Sequence, residues 1–225
     1  MSDLSINHQS TIVSHSLLCA IACFIPLPFL DEYTQTKIGD RMFNKILDGH
    51  GLSNPAAANI LSRRYGSWCM GCIVSLFVYP VKKLIRTVAL FLTVGNVVLE
   101  CEYWISRGII LDVALAKGWV PSDDERTEQL RLIMKRSKEE LDSGAIYSGL
   151  KNIFSTSRKE FFSMWRGVVK WVRGEASIKE VLPDEIVLSV NSLVSDAYIQ
   201  SVVQFLEQKD VIQSLPLIEP PKEDD

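Results

Sequence analysis

The sequence predicts an all-α protein, a multi-helix bundle of about seven to eight helices, and three observations carry that expectation. Apolar residues recur at three- and four-residue spacing through most of the chain. No stretch sustains a two-residue alternation between turn signals, so no sheet is expected. Capping residues, acidic or proline-led first turns and closing glycines punctuate the periodic segments, as helix boundaries require.

Residues 1–10 are polar and expected to be loose. Leu17 to Leu30 is an apolar run interrupted by Pro26 and Pro28. It is shorter than the roughly 18 to 20 residues that cross a bilayer, and it reads as a core helix or as a re-entrant or interfacial segment. After Asp31-Glu32 an amphipathic helix follows, with Ile38, Met42, Phe43, Ile46 and Leu47 on one face and Gly49 and Gly51 as the stop. Ser53-Asn54-Pro55 ahead of Ala56, Ala57 and Ala58 opens another helix, expected to end at Gly66. A further helix begins near Ser67 and is bent or restarted at Pro80, which lacks an N–H and crowds the preceding turn. Val81 to Lys117 reads as one long helix or two stacked ones, with Gly95 and Gly108 as candidate breaks and Gly118 and Pro121 as the close.

Ser122-Asp123-Asp124-Glu125 has the form of a capping box and opens a helix to the neighbourhood of Leu141. Ser157 with Glu160 repeats the pattern and starts a helix whose Phe161, Trp165, Val168, Val169 and Val172 share a side, stopped by Gly174. Pro183-Asp184-Glu185 opens the last helix, in which apolar residues from Ile186 to Leu206 keep near-helical spacing. The prolines and acids after Leu215 predict a disordered tail. The expected organisation is an apolar, membrane-proximal helical region over residues 1–120, a soluble helical region over 121–214 packing on it, and the tail over 215–225.

With 225 residues the chain has enough apolar sequence to build a core without disulfides or metal. Five cysteines, an odd number set in apolar sequence, speak against a secreted disulfide framework. The opening Met1-Ser2-Asp3 lacks the basic start of a secretory signal, and no cleavable signal is expected. The net charge of −3 conceals an asymmetry: residues 37–117 carry ten Lys and Arg against five Asp and Glu, residues 158–179 six against two, and residues 180–225 two against ten. The basic residues are too dispersed for a nucleic-acid footprint, so no nucleic-acid partner is expected, whereas anionic lipid suits a mildly basic surface.

The membrane question turns on two uncharged windows, between Asp3 and Asp31 and from Tyr65 to Val81. The second is flanked by Arg63-Arg64 on one side and by Lys82, Lys83 and Arg86 on the other. Basic residues at both ends suit a segment lying at one leaflet better than a span, which carries its positive charge mainly on one side. A span and a soluble apolar core remain open beside that reading.

Trp68-Cys69-Met70-Gly71-Cys72 is the sharpest local motif, because a tryptophan before a two-cysteine pair is how thioredoxin-like sites read. That chemistry needs the first cysteine at a helix N-terminus after a strand, where the dipole lowers its pKa; here a predicted helix precedes it, and two buried or membrane-facing thiols are the simpler reading. Cys19, Cys23, Cys69 and Cys72 match the number of thiolates a structural zinc takes, but their apolar, loop-free surroundings do not suit one. His8, His15 and His50 form no metalloprotease helix pattern, and there is neither a phosphate-binding glycine loop nor a serine elbow. Glu100, Glu102, Arg107 and Asp112 interrupt an apolar helix, where charges either pair internally or line a cavity.

Ile25-Pro26-Leu27-Pro28-Phe29-Leu30-Asp31, followed at helical spacing by Met42, Ile46 and then His50-Gly51, resembles a segment of uncharacterised bacterial helical membrane-associated families. These include the helical C-terminal region of YcjF-like inner-membrane proteins, often found beside GTPase domains. The chain has no GTPase signature, so the GTP-linked side of that likeness does not carry over. What the resemblance implies is a bacterial, helical, membrane-proximal protein of unknown activity, and the location expected for the chain is the cytoplasmic side of a membrane, the bacterial inner membrane. A cytoplasmic location is the other possibility, and the elbow itself is explained by two prolines stopping one helix and two acids starting the next.

The function expected from these readings is non-enzymatic association with a membrane surface or a protein partner. The surface residues singled out for it are Leu27, Phe29, Trp68, Phe77, Lys82, Lys83 and Arg86. Two alternatives stand beside it: a thiol-disulfide redox protein using Cys69 and Cys72, and a lipid-binding module with a cavity lined by Phe24, Phe77, Leu90 and Phe91. Neither a metal nor a cofactor is expected.

Overall fold

α1 (Gln9–Ala22) is covered on every side beyond its first turn: every residue from Ile12 to Ala22 is buried, as a largely apolar helix requires. The computed structural model describes residues 8–25, 30–63, 86–156 and 158–208, which hold ten helices and no strand. Around α1 pack α2 (Leu30–Gly49), α4 (Arg86–Ala116), α7 (Arg158–Arg173) and α9 (Asp184–Asn191). α3 (Pro55–Ser62) bridges α2 to α5 (Asp124–Glu140), and α6 (Gly144–Thr156) packs on α4, α7 and α9. α8 (Ile178–Val181) leans on α7, and α10 (Asp196–Gln208) closes over α4. One apolar core runs from Ile12 to Leu206 and crosses the boundary expected near residue 120.

The three innermost helices approach closely because glycine removes a side chain at the crossings. A Cβ on Gly108 of α4 would lie 2.6 Å from Cγ2 of Ile12, and one on Gly39 of α2 would lie 2.3 Å from the Trp104 ring. α4 runs unbroken from Arg86 to Ala116 through both Gly95 and Gly108. The close approach at Gly108 offsets the propensity cost of a mid-helix glycine.

Ten helices exceed the seven to eight expected from sequence, for identifiable reasons. Residues 144–156 form a helix of their own, and Ser177 with Glu180 makes a reciprocal capping box that opens the single turn α8. The long apolar stretch after Pro183 is not one helix: it bends by 58° between α9 and α10. Ser192 Oγ donates to Ser189 O, and Ser195 Oγ accepts from the Tyr198 N–H, so the serines divert and recap the backbone. At the same bend Leu193 lodges against α6, where a Cβ on Gly149 would meet its Cδ2 at 2.4 Å.

Caps fall close to where the sequence puts them, with two shifts. Asn54 accepts from the Ala57 N–H at 3.0 Å, as expected, but α3 ends at Ser62 rather than at Gly66. Asp123, not Ser122, caps α5 by accepting from the Arg126 N–H at 2.7 Å, and Ser122 Oγ donates to the Asp123 carboxylate. The proposed box at Ser157 lies outside the described residues, as do the bend at Pro80 and the tail from Leu215. Among the described residues, no single helix is long and apolar enough to cross a membrane. The described part of the first apolar run, Leu17 to Ile25, is core apart from half-buried Cys23 rather than exposed surface.

Candidate functional site

Three elements meet at the end of the bundle where α1 begins and α2 ends. His8 precedes the first turn of α1, and His50 follows the last turn of α2, its N–H donating back to Ile46 O and Leu47 O. Gly51, with φ of 76°, reverses the chain there in a conformation that favours glycine. Asp112 projects from the C-terminal part of α4 and is 3% exposed. Its Oδ1 lies 2.8 Å from His8 Nδ1 and 2.7 Å from His50 Nε2. A carboxylate oxygen only accepts, so each imidazole donates from that nitrogen, which fixes the tautomer of both rings. The rings are 5.3 Å apart between centroids and tilted by 46°. Gly49 makes room for the assembly, since a Cβ there would sit 1.9 Å from His8 Nε2. His8, His50 and Asp112 are the one set of three His, Cys, Asp or Glu donors that converge among the described residues.

Arg107 and Glu102 of α4 also have partners. Arg107, 1% exposed, lies among the rings of Phe43, Tyr103 and Trp104 and donates to Leu61 O. Its cation is favoured over aromatic faces where water is excluded. Glu102 accepts from Ser143 Oγ, and Ser106 Oγ pairs with Tyr198 Oη at 2.6 Å. Burial pushes the Tyr198 hydroxyl up to about 12, against the opposing effect of the Ser106 bond. These pairs tie α4 to α2, α3, α10 and the turn before α6.

The described thiols have the surroundings of inert core residues. Cys19 Sγ donates to Gln35 O at 3.7 Å, and Gln35 Nε2 donates to Cys23 Sγ at 3.0 Å. Burial, reinforced by Cys23 and the nearby glutamates, raises the Cys101 thiol far above its ordinary value, which removes its nucleophilic form.

Of the residues singled out in the sequence, Leu27, Phe29, Trp68, Cys69, Cys72, Phe77, Lys82 and Lys83 lie outside the described residues. Arg86 opens α4, but its side chain lies outside them, as do those of Leu90 and Phe91. Phe24 is buried in the core. The histidine cluster was not legible as a site, because His8 and His50 stand 42 positions apart and Asp112 another 62 along the chain. The signal available was Asp112 as the last of four charges that interrupt an apolar helix.

Fold and site together define a class: an all-helical bundle whose terminal layer carries a buried carboxylate shared by two histidines. Comparison with protein-family models, curated proteins and solved structures gave no match.

Proposed function

We propose that this chain is a non-enzymatic helical protein that associates peripherally with an anionic membrane surface. The observation that carries the reading is the uncharged window Tyr65 to Val81 between Arg63-Arg64 and Lys82, Lys83 and Arg86, inserted between α3 and α4. An apolar segment bracketed by cations gains from both partition into the interface and attraction to acidic headgroups. α7 adds support. Its apolar side, Phe161, Val168 and Trp171, is buried, while Arg166, Lys170 and Arg173 are exposed, and Lys45 is exposed on neighbouring α2. Asp184, Glu185, Asp196 and Glu207 are exposed on α9 and α10, where like charge would keep those helices off an acidic surface. The resemblance to bacterial inner-membrane families points to the cytoplasmic leaflet as that surface.

The test is fractionation of the expressed protein with high-salt and carbonate washes, repeated for K82Q/K83Q/R86Q. Recovery with membranes, release by salt and a reduced bound fraction in the triple variant are expected. A protein recovered wholly in the supernatant overturns the proposal, and one that resists both washes replaces it with true insertion.

A further inference from the structure

We infer that His8, His50 and Asp112 form a binding site for a divalent transition-metal ion of the zinc type, which clips the start of α1 and the end of α2 to α4. The donor set is two imidazoles and one carboxylate, the combination that borderline-soft divalent ions select. Calcium and magnesium are disfavoured because they take oxygen ligands in larger number.

The geometry supports a site and not merely a hydrogen-bonded trio. Both imidazole nitrogens converge on the same carboxylate oxygen, and the three donor atoms lie within 4.8 Å of one another. A tetrahedral ion held about 2.0–2.2 Å from each donor spaces its ligands roughly 3.3–3.5 Å apart, so each imidazole nitrogen must move about half an ångström away from the Asp112 oxygen. That movement is available, because the histidine side chains sit at the solvent edge, 16% and 18% exposed, while the Asp112 side chain beneath them is 4% exposed. The buried carboxylate supplies the negative charge that a cation needs there, and the rim leaves a path for its entry.

Coordination exchanges hydrogen bonds for metal bonds with a simple proton balance. Each imidazole now donates to Asp112 from the nitrogen that would bind the ion. On binding, the ring proton moves to the opposite nitrogen, Nε2 in His8 and Nδ1 in His50, and the freed lone pair faces the metal. Three protein ligands leave a tetrahedral ion one further position for water or a small anion.

The test uses the full chain, stripped with a chelator and titrated with Zn2+ and, for spectroscopy, with Co2+. H8Q and H50Q are the decisive variants because both residues lie at the rim. D112N is a third, accepted only if its helical circular dichroism is retained. One equivalent of Zn2+ is expected to bind and raise the thermal midpoint. The Co2+ spectrum should lack thiolate charge-transfer bands, which separates this site from the five cysteines. Loss of groups that merely orient ligands weakens metal affinity about 10- to 100-fold, so loss of a ligand itself in H50Q should cost about a hundredfold or more. Absence of binding, thiolate bands in the Co2+ spectrum, or affinity unchanged in both H8Q and H50Q overturns the inference.

Discussion

His15 is buried in the α1 core with its ring edge-on to Trp171, and its Nδ1–H donates to Thr11 O at 2.7 Å. Burial first, then the positive charges of Lys45 and Arg41, lower its pKa from 6.5 to about 4. The native state thus refuses a proton that the unfolded chain accepts, and the stability this protects is present above the unfolded pKa and lost as pH falls from about 6.5 through about 4. At about 1.4 kcal/mol per pH decade, the loss across that window approaches about 3 kcal/mol. Urea unfolding midpoints for the wild type should fall more steeply between pH 6.5 and 4 than those for H15F. Parallel pH profiles would show that His15 is not held neutral by the fold. The sequence placed His15 in an apolar stretch but gave no means of knowing that Arg41 and Lys45, on another helix, would stand beside it.

Boundaries of elements were legible where a local signal decides them and obscure where a distant contact does. Asn54, Pro55 and Gly174 act through their own backbone neighbours, and they start or stop helices where the sequence places them. The bend between α9 and α10 is different: periodicity from Ile186 to Leu206 reads straight through it, and the chain turns where Leu193 meets Gly149 on α6. Gly95 and Gly108 look alike in sequence, yet among the described residues only Gly108 is pressed by a neighbour. Two alanine substitutions should therefore have opposite signs. Gly149→Ala forces a Cβ into Leu193 and should destabilise by about 1–3 kcal/mol, the usual cost of overpacking. Gly95→Ala, with nothing among the described residues within 4 Å of its added Cβ, should stabilise by up to about 1 kcal/mol through helix propensity. Equilibrium denaturation of the two variants checks both signs, and a neutral G149A would remove the packing explanation for the bend.

At the scale of the molecule, the all-helical class was legible because period and caps agree along nearly the whole chain. The polar interior was not. Arg107 in its aromatic surroundings and Asp112 between two histidines are products of which helices cross, information that no local window contains. Arg166, Lys170 and Arg173 are exposed on α7, Asp184, Glu185, Asp196 and Glu207 are exposed on α9 and α10, and in the sequence basic residues flank the window Tyr65 to Val81. These charges make the membrane proposal directly measurable by flotation of the purified chain with vesicles of phosphatidylglycerol and phosphatidylcholine against phosphatidylcholine alone. Each basic residue near an acidic surface contributes about 1 kcal/mol, so K82Q/K83Q/R86Q should bind the anionic vesicles about a hundredfold more weakly than the wild type, with the wild type released by salt. A chain that fails to float with anionic vesicles, or floats equally with both compositions and in both forms, would contradict the account.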